Sequence, residues 1–259
     1  MQFANVNAEK TEAVKDARGT CPSCESEVIA KCGTKRINHW AHKGDRDCDS
    51  WWENETEWHR QWKAHFPNSW QEVVHTASSG EKHRADVKTE NGWVLEIQHS
   101  YLAPEERESR NAFYGKLVWI INATRRKTDP KQFQKILSGS PVIVPQYGVR
   151  KVAFPDECRL LNEWASGTSL TFFDFGTSDE SLQSYLWFLF PRTSDRSTYI
   201  APFAKAGFVN LHKESKFDNF HEGVILNMMA LLREKSQVRT SGPDPLMMLG
   251  QRFRNRRRL

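Results

Sequence analysis

His83-Arg84-Ala85-Asp86-Val87-Lys88-Thr89-Glu90-Asn91-Gly92-Trp93-Val94-Leu95-Glu96-Ile97-Gln98 reads as two strands around a turn, and the length of the turn decides which residues face each other. A two-residue loop pairs Glu90 with Trp93 and mixes carboxylates with aliphatic residues on both faces. A three-residue loop, Glu90-Asn91-Gly92 with Gly92 left-handed, pairs Thr89 with Trp93 instead. Val87 then faces Leu95 and Ala85 faces Ile97, which makes one apolar face. The other face sets Asp86 opposite Glu96 and Arg84 opposite Gln98. The second register separates the two kinds of residue cleanly and is the one adopted.

Adjacent acids on a sheet repel unless positive charge lies between them. A hard divalent cation, Mg²⁺ or Mn²⁺, held by Asp86 and Glu96 is the economical answer. Gln98 is two residues from Glu96 and shares its face. Two acids and a third polar group are what metal-assisted phosphodiester hydrolysis requires. The competing reading is a solvated polar face with salt bridges from Arg84 and Lys88.

Working outward, the stretch Trp51 to Phe66 places Trp52, Glu55, Trp58, His59, Trp62 and Phe66 at three- and four-residue steps, so a helix is expected there, stopped by Pro67. Glu55, His59 and Lys63 are spaced by four and stack on one face, where a carboxylate and an imidazole can reach the same ion. A surface charge ladder is the alternative. Strands are expected at Trp70–His75, His83–Thr89 and Trp93–His99, then a helix from Pro104 to about Tyr114 and a buried strand Leu117–Asn122. Arg107 and Arg110 lie one turn apart on that second helix and are candidate phosphate contacts, with Arg84 beside the carboxylates.

Before the helix, Cys21-Pro-Ser-Cys24 is followed by His39-Trp-Ala-His42 and Cys48. A Cys-x-x-Cys turn offers two thiolates, and a second pair completes a zinc tetrahedron. Cys21, Cys24, His42 and Cys48 form the preferred set. A site with His39 as well as His42 stays open. Residues 1–50 are too poor in apolar side chains to fold without such a staple. Cys32 reads as a small hydrophobe.

The 37 Lys and Arg against 32 Asp and Glu give a charge of +5, and five of those arginines lie in Arg252–Leu259. The body before this tail is therefore formally neutral, so nucleic-acid binding has to come from local patches. No apolar run approaches the ~18 residues of a membrane span. Five cysteines, two of them in Cys-x-x-Cys, argue against a disulfide scaffold and for a cytoplasmic setting. Seven of nine histidines and seven of ten tryptophans fall between His39 and His99, which concentrates the chemistry there.

These segments resemble the competence protein CoiA-like family. Its N-terminal segment is similar to Cys-Pro-x-Cys with Val28-Ile-Ala-Lys31, Gly33 and His39-Trp-Ala-His42. Its nuclease domain is similar, in order, to Glu55-Thr-x-x-His59-x-x-x-Lys63, Arg84-Ala-Asp86-Val87, Glu96-Ile-Gln98-His-Ser100 and Arg110-x-x-x-Tyr114. That domain belongs to the PD-(D/E)XK nuclease superfamily, whose core has the order helix, three strands, helix, strand. The resemblance covers about residues 18–122. It implies an α/β (α+β) protein with a mixed sheet flanked by helices and a zinc-ribbon-like N-terminal module, with Asp86 and Glu96 as catalytic metal ligands. Gln98 stands where the superfamily usually has Lys, a departure that leaves Lys88 or Arg84 to supply positive charge.

The expected organisation is a zinc module at 1–50, a nuclease core at 51–155, an α/β extension at 156–240 and a basic tail at 241–259. The expected activity is Mg-dependent hydrolysis of DNA, single- or double-stranded, in which Glu55 and His59 support the ion or substrate and Gln98 orients water. The rival expectation is a non-catalytic, zinc-containing nucleic-acid-binding accessory protein with a degenerate site. Protein partners through the aromatic C-terminal region are a further expectation.

Overall fold

The computed structural model describes residues 1–44, 48–51, 53–176, 185–192 and 197–240, the last five as backbone only. Trp52 and the arginine tail lie outside the described residues. The protein is α+β, with two sheets. The first contains β1 (Phe3–Val6), β2 (Glu9–Glu12), β3 (Arg18–Thr20), β4 (Glu27–Lys31) and β5 (His39–His42), in the order β2-β1-β3-β4-β5. All its pairings are antiparallel. Its core is small, built around Met1, Ala4, Val28 and Trp40. So few apolar side chains leave the stapling to the cysteine cluster described below.

The second sheet follows α1 (Glu57–Lys63) and opens with β6 (Gln71–Thr76), β7 (Lys82–Lys88) and β8 (Val94–Gln98). After α2 (Pro104–Tyr114) comes β9 (Leu117–Asn122), parallel to β8. The helix–strand–strand–strand–helix–strand order expected for residues 51–122 is present. Helix α2 has the expected bounds because Pro104 suits a first turn, Glu105 and Glu106 complement the helix dipole, and Gly115 closes the helix at φ 68°. All six residues of β9 are buried, as befits a strand covered on both faces.

Helix α1 is shorter than the Trp51–Phe66 helix expected. It starts at Glu57 because Thr56 caps it: the Thr56 hydroxyl accepts from His59 N, and His59 Nδ1 accepts from Thr56 N. This is a capping box with His in the place usual for Glu or Gln. Glu55 therefore precedes the helix and does not stack on its face.

The rest of the chain is α3 (Asp129–Gly139), β10 (Val142–Val144), β11 (Val149–Val152), α4 (Arg159–Trp164), β12 (Leu170–Asp174), β13 (Tyr185–Leu189), β14 (Thr198–Ala204), α5 (Lys205–Lys213), α6 (Phe217–Phe220) and α7 (Asn227–Thr240). The sheet order is β10-β11-β14-β13-β12-β9-β8-β7-β6. Residues 156–240, expected as an α/β extension, contribute three strands to this same sheet. The reason is β9: β12 pairs along its whole length and removes an apolar open edge. Strand β14 contains Pro202, a residue that central strands normally exclude because it lacks the ladder N–H. Its pairing with β11 ends at Ile200–Arg150, so the missing Pro202 N–H falls where no β11 neighbour remains.

One face of the sheet packs Trp62, Phe208 and Leu232 against Ile120 and Phe172. The other packs Tyr114, Phe133 and Leu161 against Trp119, Ile121 and Phe173. Among the described residues no helix is long and apolar enough to cross a membrane.

Candidate metal centre and charged cleft

The turn after β3 carries Cys21 and Cys24, and β5 ends on His42. The Cys21, Cys24, His42 and Cys48 ligand atoms all lie within 4.8 Å of one another. Cys24 Sγ is 3.3 Å from His42 Nε2, and Cys21 Sγ is 3.6 Å from Cys48 Sγ. Ligands of a tetrahedral zinc ion stand about 3.5–3.8 Å apart, so this Cys3His cluster can hold a metal ion such as zinc. Burial together with the Cys21 charge pushes the Cys48 thiol up to about 12. Against the cost of burial, hydrogen bonds from Ser26 and His42 hold Cys24 down at about 6. A bound cation relieves both strains by stabilising every thiolate. His39 is three residues from His42 on an extended strand, and its Nδ1 donates to Ile37 O at 2.9 Å. It takes no part in the cluster, nor does Cys32.

The hairpin has the adopted register. Val87 pairs with Leu95, Thr89 N donates to Trp93 O, and Gly92 has φ 80°. Past Val87 the ladder stops. Asp86 Oδ2 accepts from Ile97 N at 2.8 Å, so a side chain takes the place of a ladder bond and the strands part. Ala85 consequently joins the opposite core cluster from Val87.

The parting opens a cleft. On β6 the flanking pairs Gln71–Val87 and Val73–Ala85 put Glu72 opposite Asp86, with Glu72 itself at φ 45°. A positive φ at a non-glycine residue is costly and concentrates at functional positions. Glu72, Asp86 and Glu96 thus line one cavity from three adjacent strands, with Glu53, His59 and Gln98 on its wall. The cavity is about 50 Å³, room for an ion or one or two waters.

The charges are unequally satisfied. Glu72 accepts from Gln2 N, Phe3 N and Lys63 Nζ, and against burial the Lys63 and Arg84 charges keep its carboxyl well below the usual range. Burial raises Asp86, with His59 and Lys63 opposing. Burial and the Asp86 charge push Glu96 up to about 8, although Arg110 bonds it at 3.0 Å. Glu96 Oε1 is buried with no hydrogen-bond partner. Burial would raise Glu53 too, but His59 outweighs it and holds Glu53 low. His59 Nε2 donates to Glu53 Oε1 at 3.0 Å, and this bond with the Asp86 charge raises His59 against its own burial.

Several sequence-chosen residues sit elsewhere than expected. Glu55 lines the cavity, but its carboxylate is taken by Arg60 and Lys63. The acid joined to His59 and Gln98 is Glu53, which accepts from Gln98 Nε2 at 3.1 Å. The over-long helix prediction put Glu55 in phase with His59 and hid Glu53; the capping threonine was the signal available. Arg107 donates to Glu163 O and lies over Trp164, so it secures α4 and does not face the cleft. Arg110 is buried on Glu96, Glu106 and Trp51 O, an internal counter-charge and not an exposed phosphate grip. Arg84 lines the cavity; burial lowers its pKa, but Glu72 and Asp49 outweigh that and raise it. Lys88 bonds His75 outside the cavity lining. His59 and Lys63 are the groups that oppose the burial of Asp86.

The metal cluster and the cleft are joined. Asp49, next to Cys48, receives His83 Nδ1 at 2.8 Å and Arg84 N at 2.9 Å, two residues before Asp86. The small sheet with the Cys3His cluster is thus fastened through Asp49 to the strand that carries Asp86.

Residues 3–50 match the competence protein CoiA N-terminal domain. The matched CoiA-type domain spans the first sheet and all four cluster residues. The likeness is to that domain over this segment of the chain. No curated protein and no solved structure matches the chain. Among the described residues, the cluster in the CoiA-type domain is the one group of three or more His, Cys, Asp or Glu side chains placed to hold an ion.

Proposed function

We propose that the protein is a metal-dependent nuclease that hydrolyses DNA phosphodiester bonds, with Asp86 and Glu96 at its centre and the CoiA-type domain as a zinc-stapled wall of the site. One observation carries the reading: two adjacent buried carboxyls are pushed upward, and Glu96 Oε1 has no partner. That is the deficit a divalent cation fills. Asp86 and Glu96 would hold Mg²⁺ or Mn²⁺, which when bound supplies a Lewis acid and an acidified water.

The chain's own residues do the positioning. His59 is held at both nitrogens, by Thr56 N and by Glu53, so its ring is fixed in the tautomer that carries the Nε2 proton. Gln98 Nε2 is shared between Glu53 and Ser100 O, which orients its amide along the cavity wall. Gln98 exchanges no proton, so proton movement falls to His59, the titratable ring held by the same Glu53. Lys63 and Arg110 supply the fixed positive charge that Gln98 does not.

The second reading, a nucleic-acid-binding accessory with a degenerate site, draws on one feature. Glu53, Glu55 and Glu96 each already have a partner within the chain. The two readings part on one experiment: cleavage of DNA with Mg²⁺ by wild type, Asp86→Ala and Glu96→Ala. The nuclease reading expects cleavage by wild type only. DNA binding by all three proteins without cleavage by any supports the accessory.

A further inference from the structure

Beside the small carboxylate cavity lies a much larger groove of about 830 Å³, between the CoiA-type domain and the start of α1. The two share Met1, Asp49, Glu55 and Arg84 in their linings, so each opens against the other. The groove's outer wall is the β4–β5 loop, which presents Lys35 and Arg36, both exposed. Arg60, from α1, donates to Asn38 O and ties this loop to the core.

The charges on the two walls differ in kind. Among the described residues Lys35 and Arg36 have no carboxylate partner. On the opposite wall Asp49 is engaged by His83, and Glu55 by Arg60 and Lys63. Glu57, exposed at the rim, is the acid left uncompensated there. Among the described residues the available charge at the outer wall is therefore positive, although the first fifty residues are neutral as a whole. His39 also lines the groove, its Nδ1 donating to Ile37 O.

We propose that this groove is the binding channel for a single strand of nucleic acid, with Lys35 and Arg36 gripping its phosphates and directing it toward Asp86 and Glu96. The volume decides for one strand. Pockets of ~300–1,000 Å³ hold ligands of drug size, so the groove takes a few nucleotides, whereas a duplex needs an open face of ~1,000–2,500 Å². A positively charged groove wall that tracks the phosphates is a usual part of a single-strand site. The proposal rests on the nuclease reading for its direction, but not for its binding.

The test is fluorescence anisotropy of a fluorescein-labelled oligothymidine with the full chain in EDTA-free buffer lacking Mg²⁺, comparing wild type with the double variant Lys35→Glu/Arg36→Glu. Affinity is expected to fall about tenfold or more, and the slope of log affinity against log salt to flatten by about one to two. Unchanged zinc content and far-ultraviolet dichroism show that the variant is folded. Wild-type affinity in the folded variant overturns the channel. Equal or tighter binding of a hairpin duplex by wild type overturns the single-strand assignment. If Asp86→Ala still cleaves while the charge-reversal variant fails to bind, the nuclease centre is misplaced and the channel stands.

Discussion

Glu53 Oε1 lies 3.0 Å from His59 Nε2, across the break between the irregular segment 53–56 and the first turn of α1. The same carboxylate holds Gln98 through its other oxygen. One acid outside any regular element therefore orients both a titratable ring and the amide beside Glu96. Glu53→Gln removes the charge that raises His59 while keeping a hydrogen-bonding side chain. The His59 pKa is expected to fall, read as a titration midpoint of its imidazole resonances at lower pH. An unchanged midpoint shows that Asp86, and not Glu53, sets His59.

The pH dependence of stability follows from Glu96. Its carboxyl is raised to about 8 in the folded protein by burial and by the Asp86 charge, above the ordinary value of about 4.3. A group raised on folding contributes stability that is full below its unfolded pKa and is lost as pH rises through its folded one. Wild-type stability relative to Glu96→Gln is thus expected to decline between about pH 4.3 and 8, and Mg²⁺ is expected to lessen the decline. Thermal melts across that range check it; a constant difference between the two proteins contradicts the assignment.

Metal removal should act on both sheets. Cys24→Ser breaks the cluster, and structural zinc contributes on the order of 10 kcal/mol to small domains. Loss of the first sheet frees Asp49 from His83 and Arg84 N, so β7 loosens two residues from Asp86. One zinc per chain is expected in wild type by elemental analysis, with none in Cys24→Ser and an unchanged value in Cys158→Ser. Hydrogen exchange at Ala85 and Asp86 is expected to quicken in Cys24→Ser. Retained zinc in that variant rules the cluster out.

Asp174 fastens α1 to the sheet. Its Oδ2 accepts from Trp58 Nε1 at 3.0 Å and Trp62 Nε1 at 2.7 Å, and Lys205 lies over the Trp62 ring. Asp174→Ala leaves the buried Trp62 donor without an acceptor and is expected to cost about 2–4 kcal/mol by chemical denaturation. A loss below about 1 kcal/mol means that apolar packing alone holds the helix.

What the residue order determined by itself is local. The turn Glu90-Asn91-Gly92 set the hairpin register, because only Gly92 takes φ 80° without strain and the alternative register buries acids among aliphatics. Pro104 and Gly115 set both ends of α2. Cys-x-x-Cys spacing marked Cys21 and Cys24 as ligands and favoured His42 and Cys48 as their partners, and the fold settled the set by leaving His39 out of the cluster. What only the tertiary structure decided is long-range. Glu72 joins the site from a strand read as ordinary, because the parting of β7 and β8 and a positive φ bring it opposite Asp86. Glu53 replaces Glu55 beside His59 because a capping threonine delays the start of the helix to Glu57. Arg107 and Arg110, one turn apart, face different partners once α4 and Glu96 pack against them. Nearest-neighbour chemistry governs turns and caps, while charge compensation depends on which elements meet. That meeting is set by burial of the whole sheet, which no single stretch of sequence contains.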